Sequence, residues 1–210
     1  KSEFNFIIGD IMFAIVESGS ITSMPSGKKG IQIGGINHPV TIFTLWSESE
    51  RNAIGLYTVE MDETNKKDGA YYQNTAITYS YDSSANKVKG TYGSPTARSL
   101  TDVLFTQADQ DAGKGTKGEL HYRGLKYLHK EVIENECNAL LAPSDWRVVK
   151  QEETGSSMDS GWKTWRANMR AKCNTMQTAI DNAADVEALM KLYIRDESGV
   201  RPLGDFPTKE

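Results

Sequence analysis

LLAPSDWRVVKQEETG, Leu140 to Gly155, sets an Asp beside a Trp, two basic residues, two glutamates and a closing Gly within sixteen residues. The stretch has the residue types of a chemical site, yet backbone physics accounts for nearly every position. Pro143 lacks an N–H and clashes with the preceding turn, so a helix arriving from the N-terminal side ends there. Ser144 is expected to cap the next helix through its hydroxyl, and Asp145 meets the positive end of its dipole. Gly155 supplies the exit. Trp146 and Val149, three apart, form the expected buried stripe, which puts Trp146 between helices. Arg147, Lys150, Gln151 and Glu152 fall on the wet side, and Asp145 and Glu153 are expected to act as helix-end and ion-pair groups rather than in catalysis. Read this way, the stretch joins two helices.

Working outward, the second half keeps a period of about 3.6 residues. Leu125, Leu128, Val132, Ile133, Cys137, Leu140 and Leu141 predict one apolar face on a helix from about Glu119 to Ala142. Trp162, Trp165, Met169, Cys173, Met176 and Ile180 predict a second helix. Val186, Leu189, Met190 and Tyr193 predict a third, capped by Asn182. Such a pattern describes a helical hairpin or small bundle.

The first half alternates with period two. Leu56–Val59 reads as a strand, and AITYSYDSSANKVKGTY as a hairpin about Ser83-Ser84-Ala85-Asn86. Ser47 with Glu50 makes a capping box, and Gly55 suits the left-handed position after a short helix. Phe4–Ile8 and Ile11–Val16 flank a Gly9-Asp10 turn and are apolar on both faces. A hairpin of that kind needs cover from outside, so Phe4, Phe6, Ile8, Ile11, Phe13 and Ile15 are the expected partner-binding residues. The overall expectation is an α+β fold: an apolar arm and Ser/Gly-rich linker over 1–30, a small, mostly antiparallel β domain with one short helix over 31–110, and a helical domain over 111–210. The hinge is placed in the glycine-rich Ala108–Gly118.

Composition narrows the function classes. The formal net charge of −4, without a basic block, speaks against nucleic acid as a partner. No stretch approaches the ~18 apolar residues of a membrane span, and Glu3 and Asp10 interrupt what would otherwise resemble a signal peptide. A soluble protein made in the cytoplasm is expected, with Cys137 and Cys173 as buried free thiols. His38, His121 and His129 have no metal-ligand spacing, the glycines of SGKKGIQIGG do not form a phosphate loop, and no cofactor motif is found. A Cys137–His129 nucleophile is far less favoured than a core thiol. Trp162, Trp165 and Tyr122 have the residue types of a sugar platform, but the helical spacing of the tryptophans favours packing. Tyr71, Tyr72, Tyr79, Tyr81 and Tyr92 are the expected exposed contact residues of the β half.

The same residues carry a resemblance. A helix ending Leu140-Leu141-Ala142-Pro143, then Ser144-Asp145-Trp146, Val148-x-Lys150-x-x-Glu153-Thr154-Gly155, and Trp162-x-x-Trp165-Arg166-x-x-x-Arg170, resembles the C-terminal segment of bacteriophage tail fibre assembly or tail assembly chaperone proteins. Trp46-Ser-Glu-Ser-Glu-Arg51 with Ala53-Ile54-Gly55, followed by Tyr71-Tyr72, is similar to their preceding segment. The likeness spans about Ile36 to Leu189. Ser156–Ser160 and Trp165 stand where the family has a Pro and a Tyr. The resemblance implies a non-enzymatic tail component in which Trp46, Arg51, Gly55, Asp145, Trp146, Glu153, Gly155, Trp165, Arg166 and Arg170 are structural. Its partners would be other tail proteins, fibre or baseplate, and further copies of itself, with no nucleic acid and no membrane insertion. It would be made in the host cytoplasm and reside in the virion tail; the apolar arm favours such a permanent connector. The alternative is a transient fibre-assembly chaperone absent from the finished particle.

Overall fold

The computed structural model describes residues 11–209, and backbone contacts divide the chain between Thr96 and Ala97. That division falls earlier than the expected hinge. Ala108–Gly118 instead overlaps helix α2, Gln107–Asp111, started by a reciprocal capping box between Thr106 and Asp109. The fold is α+β, as the change of periodicity predicts.

The first unit is built on a five-stranded sheet. Its strands are β1 (Phe13–Glu17), β2 (Ser20–Ser23), β5 (Leu56–Asp62), β7 (Ile77–Asp82) and β8 (Lys87–Tyr92), in the order β2-β1-β5-β8-β7. Pairing is antiparallel except between β5 and β8, which run parallel with Val59 opposite Val88. The edge strands β2 and β7 approach one another, so the sheet curls toward closure. A separate short hairpin, β3 (Ile31–Ile33) and β4 (Ile36–His38), turns on Gly34-Gly35 and leads into a 3-10 turn at Val40–Phe43. Helix α1 (Glu48–Ala53) has the expected Ser47–Glu50 capping box, and Gly55 follows it at φ +84°. Tyr72–Gln73 (β6) and Thr96–Ala97 (β9) are two-residue strands.

Apolar side chains pack on both sides of this sheet. Phe13, Ile15, Ile33, Ile42, Phe43 and Leu56 cluster on one side, and Ala14, Tyr57, Val59 and Val88 on the other. That arrangement corrects the reading of the arm. Ile11–Val16 is apolar on both faces because β1 is an inner strand, between β2 and β5, and turns back at Ser18-Gly19 into β2 rather than opening a linker. Phe13 is 2% exposed and Ile15 is 6%, so neither is open to a partner, while Ile11 packs against the same cluster. Phe4, Phe6 and Ile8, and the proposed Gly9-Asp10 turn, lie outside the described residues.

In the second unit, β10 (Val103–Leu104) and β11 (Leu120–Tyr122) pair around α2. The expected helix from Glu119 therefore begins later, as α3, Leu125–Leu141. Gly124 marks the switch, because a Cβ there would lie 2.2 Å from the Thr101 carbonyl carbon. A 3-10 turn at Ala142–Ser144 leads to α4 (Asp145–Thr154), and Gly155 ends α4 at φ +70°. Helix α5 (Ser160–Asp181) packs on α3. Helix α6 (Val186–Lys191) is capped by Asp185, not Asn182, which closes α5 instead; the Asp185 carboxylate accepts from the Ala188 N–H. Among the described residues, no helix is long and apolar enough to cross a membrane.

Candidate functional site

The quoted stretch and the Trp-Arg segment of α5 meet at one side chain. Arg166 is 4% exposed, and its Nη1 donates to the Leu141 carbonyl at 3.0 Å and to the Ser144 hydroxyl. Its Nη2 donates to Asp145 Oδ1 at 2.6 Å. The guanidinium thus braces the last carbonyl of α3, the turn, and the first residue of α4. A planar five-donor group suits this geometry better than a point charge. Ser144 does not cap α4: its hydroxyl donates back to Leu141 O at 2.7 Å and offers its lone pair to Arg166. Asp145 is the expected ion-pair and helix-end group. Glu153, exposed in the last turn of α4, makes no ion pair among the described residues, and Arg170 is exposed on α5.

Held by its ends, α4 buries no residue. Trp146 is 53% exposed and Val149 52%, so the expected buried stripe faces solvent. Alternation of apolar residues along a ten-residue helix cannot decide burial when no second surface lies against it. Arg147 is stacked between two indoles, 4.5 Å from the Trp146 centroid and 4.4 Å from that of Trp162, and Lys209 sits 5.4 Å from the same Trp162 ring. Trp162 meets Trp165 edge to face at 5.6 Å, and Trp165 Nε1 donates to Pro207 O at 3.0 Å. Both tryptophans of α5 are half-buried, and the tail beyond Tyr193 folds back to cover them and to bury Leu203. Between Trp146 and the start of α5 lies a recess of about 200 Å³, lined by Trp146, Arg147, Lys150, Ser156, Ser157, Met158 and Asp159.

Helix α3 carries two apolar rows rather than one face. Leu125, Ile133, Cys137 and Leu141, with His129 completing the four-residue steps, are the covered row. Leu128 and Val132, one turn apart, and Leu140, two turns further on beyond exposed Glu136, flank it and are exposed, Val132 at 61%. Packing with α5 is too narrow to cover both rows.

In the first unit, Trp46, Arg51 and Gly55 serve the fold. Arg51 Nη1 donates to the Trp46 carbonyl, its guanidinium lies 5.7 Å from the Phe13 centroid, and its Nε is buried with no partner among the described residues. Gly55 allows the chain to pass Val16, whose carbonyl would lie 2.6 Å from a Cβ. Phe13, Phe43, Thr44, Glu48, Arg51 and Thr58 line part of a cavity of about 460 Å³. The tyrosines expected to be exposed are drawn inward. Tyr72 is buried, and Tyr71, Tyr79, Tyr81 and Tyr92 are half-buried. Tyr57 and Tyr81 share Asn86, and burial with the Tyr81 hydroxyl pushes the Tyr57 phenol up to about 12.

Cys137 and Cys173, distant in sequence, are buried together between α3 and α5. Desolvation, and then the neighbouring Cys137, push the Cys173 thiol up to about 11, the direction of an inert thiol. His129 Nδ1 lies 2.8 Å from the Tyr193 hydroxyl, and burial lowers its pKa. His121 is on β11, stacked on Phe105 at 4.4 Å, and not on a helix with His129. Among the described residues, no group of three His, Cys, Asp or Glu side chains is arranged to hold a metal ion.

Exposed Trp146 and the outer row of α3 are features that sequence reasoning assigned to the core. What separates them from core is that no element among the described residues covers them, which periodicity does not encode. Comparison with known proteins adds no neighbour: no family model, no curated protein and no solved structure matches the chain.

Proposed function

We propose that the protein is a non-enzymatic component of a bacteriophage tail, a connector associated with the fibre or baseplate that works through protein contacts. The tail assignment rests on the sequence resemblance. The geometry supports the mode of action, and the observation that carries it is the uncovered row Leu128, Val132 and Leu140 on α3. Three large apolar side chains exposed along one line of a helix, with Glu136 as the charged step between Val132 and Leu140, gain little from water and suit a partner's surface. The signature residues Ser144, Asp145 and Arg166 are used up in holding α4 to the end of α3, which is the role a structural motif would give them. Phe13 and Ile15 no longer argue for a contact arm, so the α3 row takes that place in the reasoning.

The test has two parts. Mass spectrometry of purified particles from the phage that encodes the chain should find its peptides at stoichiometric levels. Val132→Glu, on the outer row, should leave the protein folded and exclude it from particles. Absence of the wild-type chain from the particle would leave the transient chaperone, and incorporation of Val132→Glu at wild-type levels would remove the α3 row as the contact.

A further inference from the structure

We propose that the recess beside Trp146 binds a single sugar ring bearing a carboxylate, a reading that goes beyond the tail assignment and does not depend on it. Size is the first argument. A recess of about 200 Å³ is below the roughly 300–1,000 Å³ of pockets for drug-sized ligands, and it suits one six-membered ring. The lining is the second. Trp146 presents an indole of which Arg147 covers one side, and the residue still stays 53% exposed. The negative face of an indole attracts the weakly positive C–H groups on the flat side of a pyranose.

Around that platform stand polar groups with capacity to spare. Asp159 uses Oδ1 to cap α5, accepting from the Gly161 and Trp162 N–H groups at 3.0 and 3.3 Å, which leaves Oδ2 to accept from a ligand hydroxyl. The hydroxyls of Ser156 and Ser157 and the ammonium of Lys150 have no hydrogen-bond partner among the described residues. Arg147 has its faces against two indoles, which leaves Lys150 as the cation with an unstacked head group. An ammonium, a carboxylate oxygen and two hydroxyls without partners among the described residues, beside an aromatic face, match a ligand with one acid group and several hydroxyls. A nucleotide is too large for the recess. A wholly apolar ligand would strand the polar lining.

The probe is glucuronic acid, titrated into the full-length protein by saturation-transfer NMR and calorimetry, with glucose and acetate as controls. Saturable one-site binding of glucuronic acid is expected, with glucose at least about tenfold weaker and acetate giving no response. Trp146→Ala, at an exposed position that leaves the fold intact, should abolish binding. Lys150→Gln should reduce glucuronic acid to the level of glucose while leaving glucose itself unchanged. Three results would each overturn the proposal: no response to glucuronic acid at tens of millimolar, a response to acetate equal to that of glucuronic acid, or binding that survives Trp146→Ala.

Discussion

Replacing Arg166 by Met removes a buried cation while keeping most of its apolar stem, and the structure sets the size of the loss. Three hydrogen bonds disappear, to Leu141 O, Ser144 Oγ and Asp145 Oδ1. Hydrogen bonds to charged groups contribute about 1.5–3 kcal/mol each net of exchange with water, but burying the guanidinium is itself costly, and its Nε has no partner among the described residues. What is left behind also matters. Leu141 O still receives the Ser144 hydroxyl, and the Asp145 side chain, 60% exposed, returns to water, so only a lone pair of buried Ser144 goes unmatched. The expected net loss is about 2–4 kcal/mol for Arg166→Met. Lys at this position should lose nearly as much, since one ammonium cannot span three acceptors in that fork. Asp145→Asn should cost at most about 1 kcal/mol, because its end of the pair is screened by solvent. Urea denaturation followed by tryptophan fluorescence measures all three, with the slope unchanged if only stability has moved. The reasoning fails if Arg166→Met lies within about 0.5 kcal/mol of wild type, or if Asp145→Asn costs as much as Arg166→Met.

Three further outcomes are expected. Trp146→Ala should destabilise by less than about 1 kcal/mol, far short of the ~3–5 of a buried tryptophan, as equilibrium denaturation will measure. Gly55→Ala should cost roughly 2–3 kcal/mol, since a side chain at φ +84° meets the Val16 carbonyl; a thermal melt that does not move would remove the steric argument. Burial holds the folded pKa of His129 below the unfolded value of 6.5, so its stabilising effect is present above that value and lost as pH falls through it toward the folded pKa. Stability measured from pH 8 to 5 should therefore decline below about 6.5, and His129→Gln should flatten that part of the curve.

Much of the local structure was legible because it depends on residues close in sequence. The Ser47–Glu50 capping box, the hairpin about Ser83–Asn86, the stop at Pro143 and the exit at Gly155 each need only their own few residues. Errors arose where the deciding surface was remote. Asn182 and Asp185 are both competent caps, and only the close of α5 shows which one opens α6. Thr106 and Asp109 made a readable capping box, but the glycines after it drew the segment into a hinge. Ser144 is well placed to cap α4, and it turns away because buried Arg166, more than twenty residues later, needs its lone pair.

The two largest misreadings are opposite cases of one physical fact. Strand β1 is apolar on both faces, and sequence reasoning sent its second face to another molecule; the sheet instead curls and places a core on each side of an inner strand. Helix α3 is apolar over a broad arc, and the same reasoning gave the whole arc to the protein's own core; α5 covers one row and leaves the other to solvent. Period and composition report how much apolar surface an element carries. They do not report how much cover the rest of the chain supplies, because that depends on the width of the packed neighbour and the curvature of the sheet. Surplus apolar surface becomes informative about function only after that cover is subtracted. On this chain the subtraction removes Phe13 and Ile15 from the list of contact residues and adds Leu128, Val132, Leu140 and Trp146.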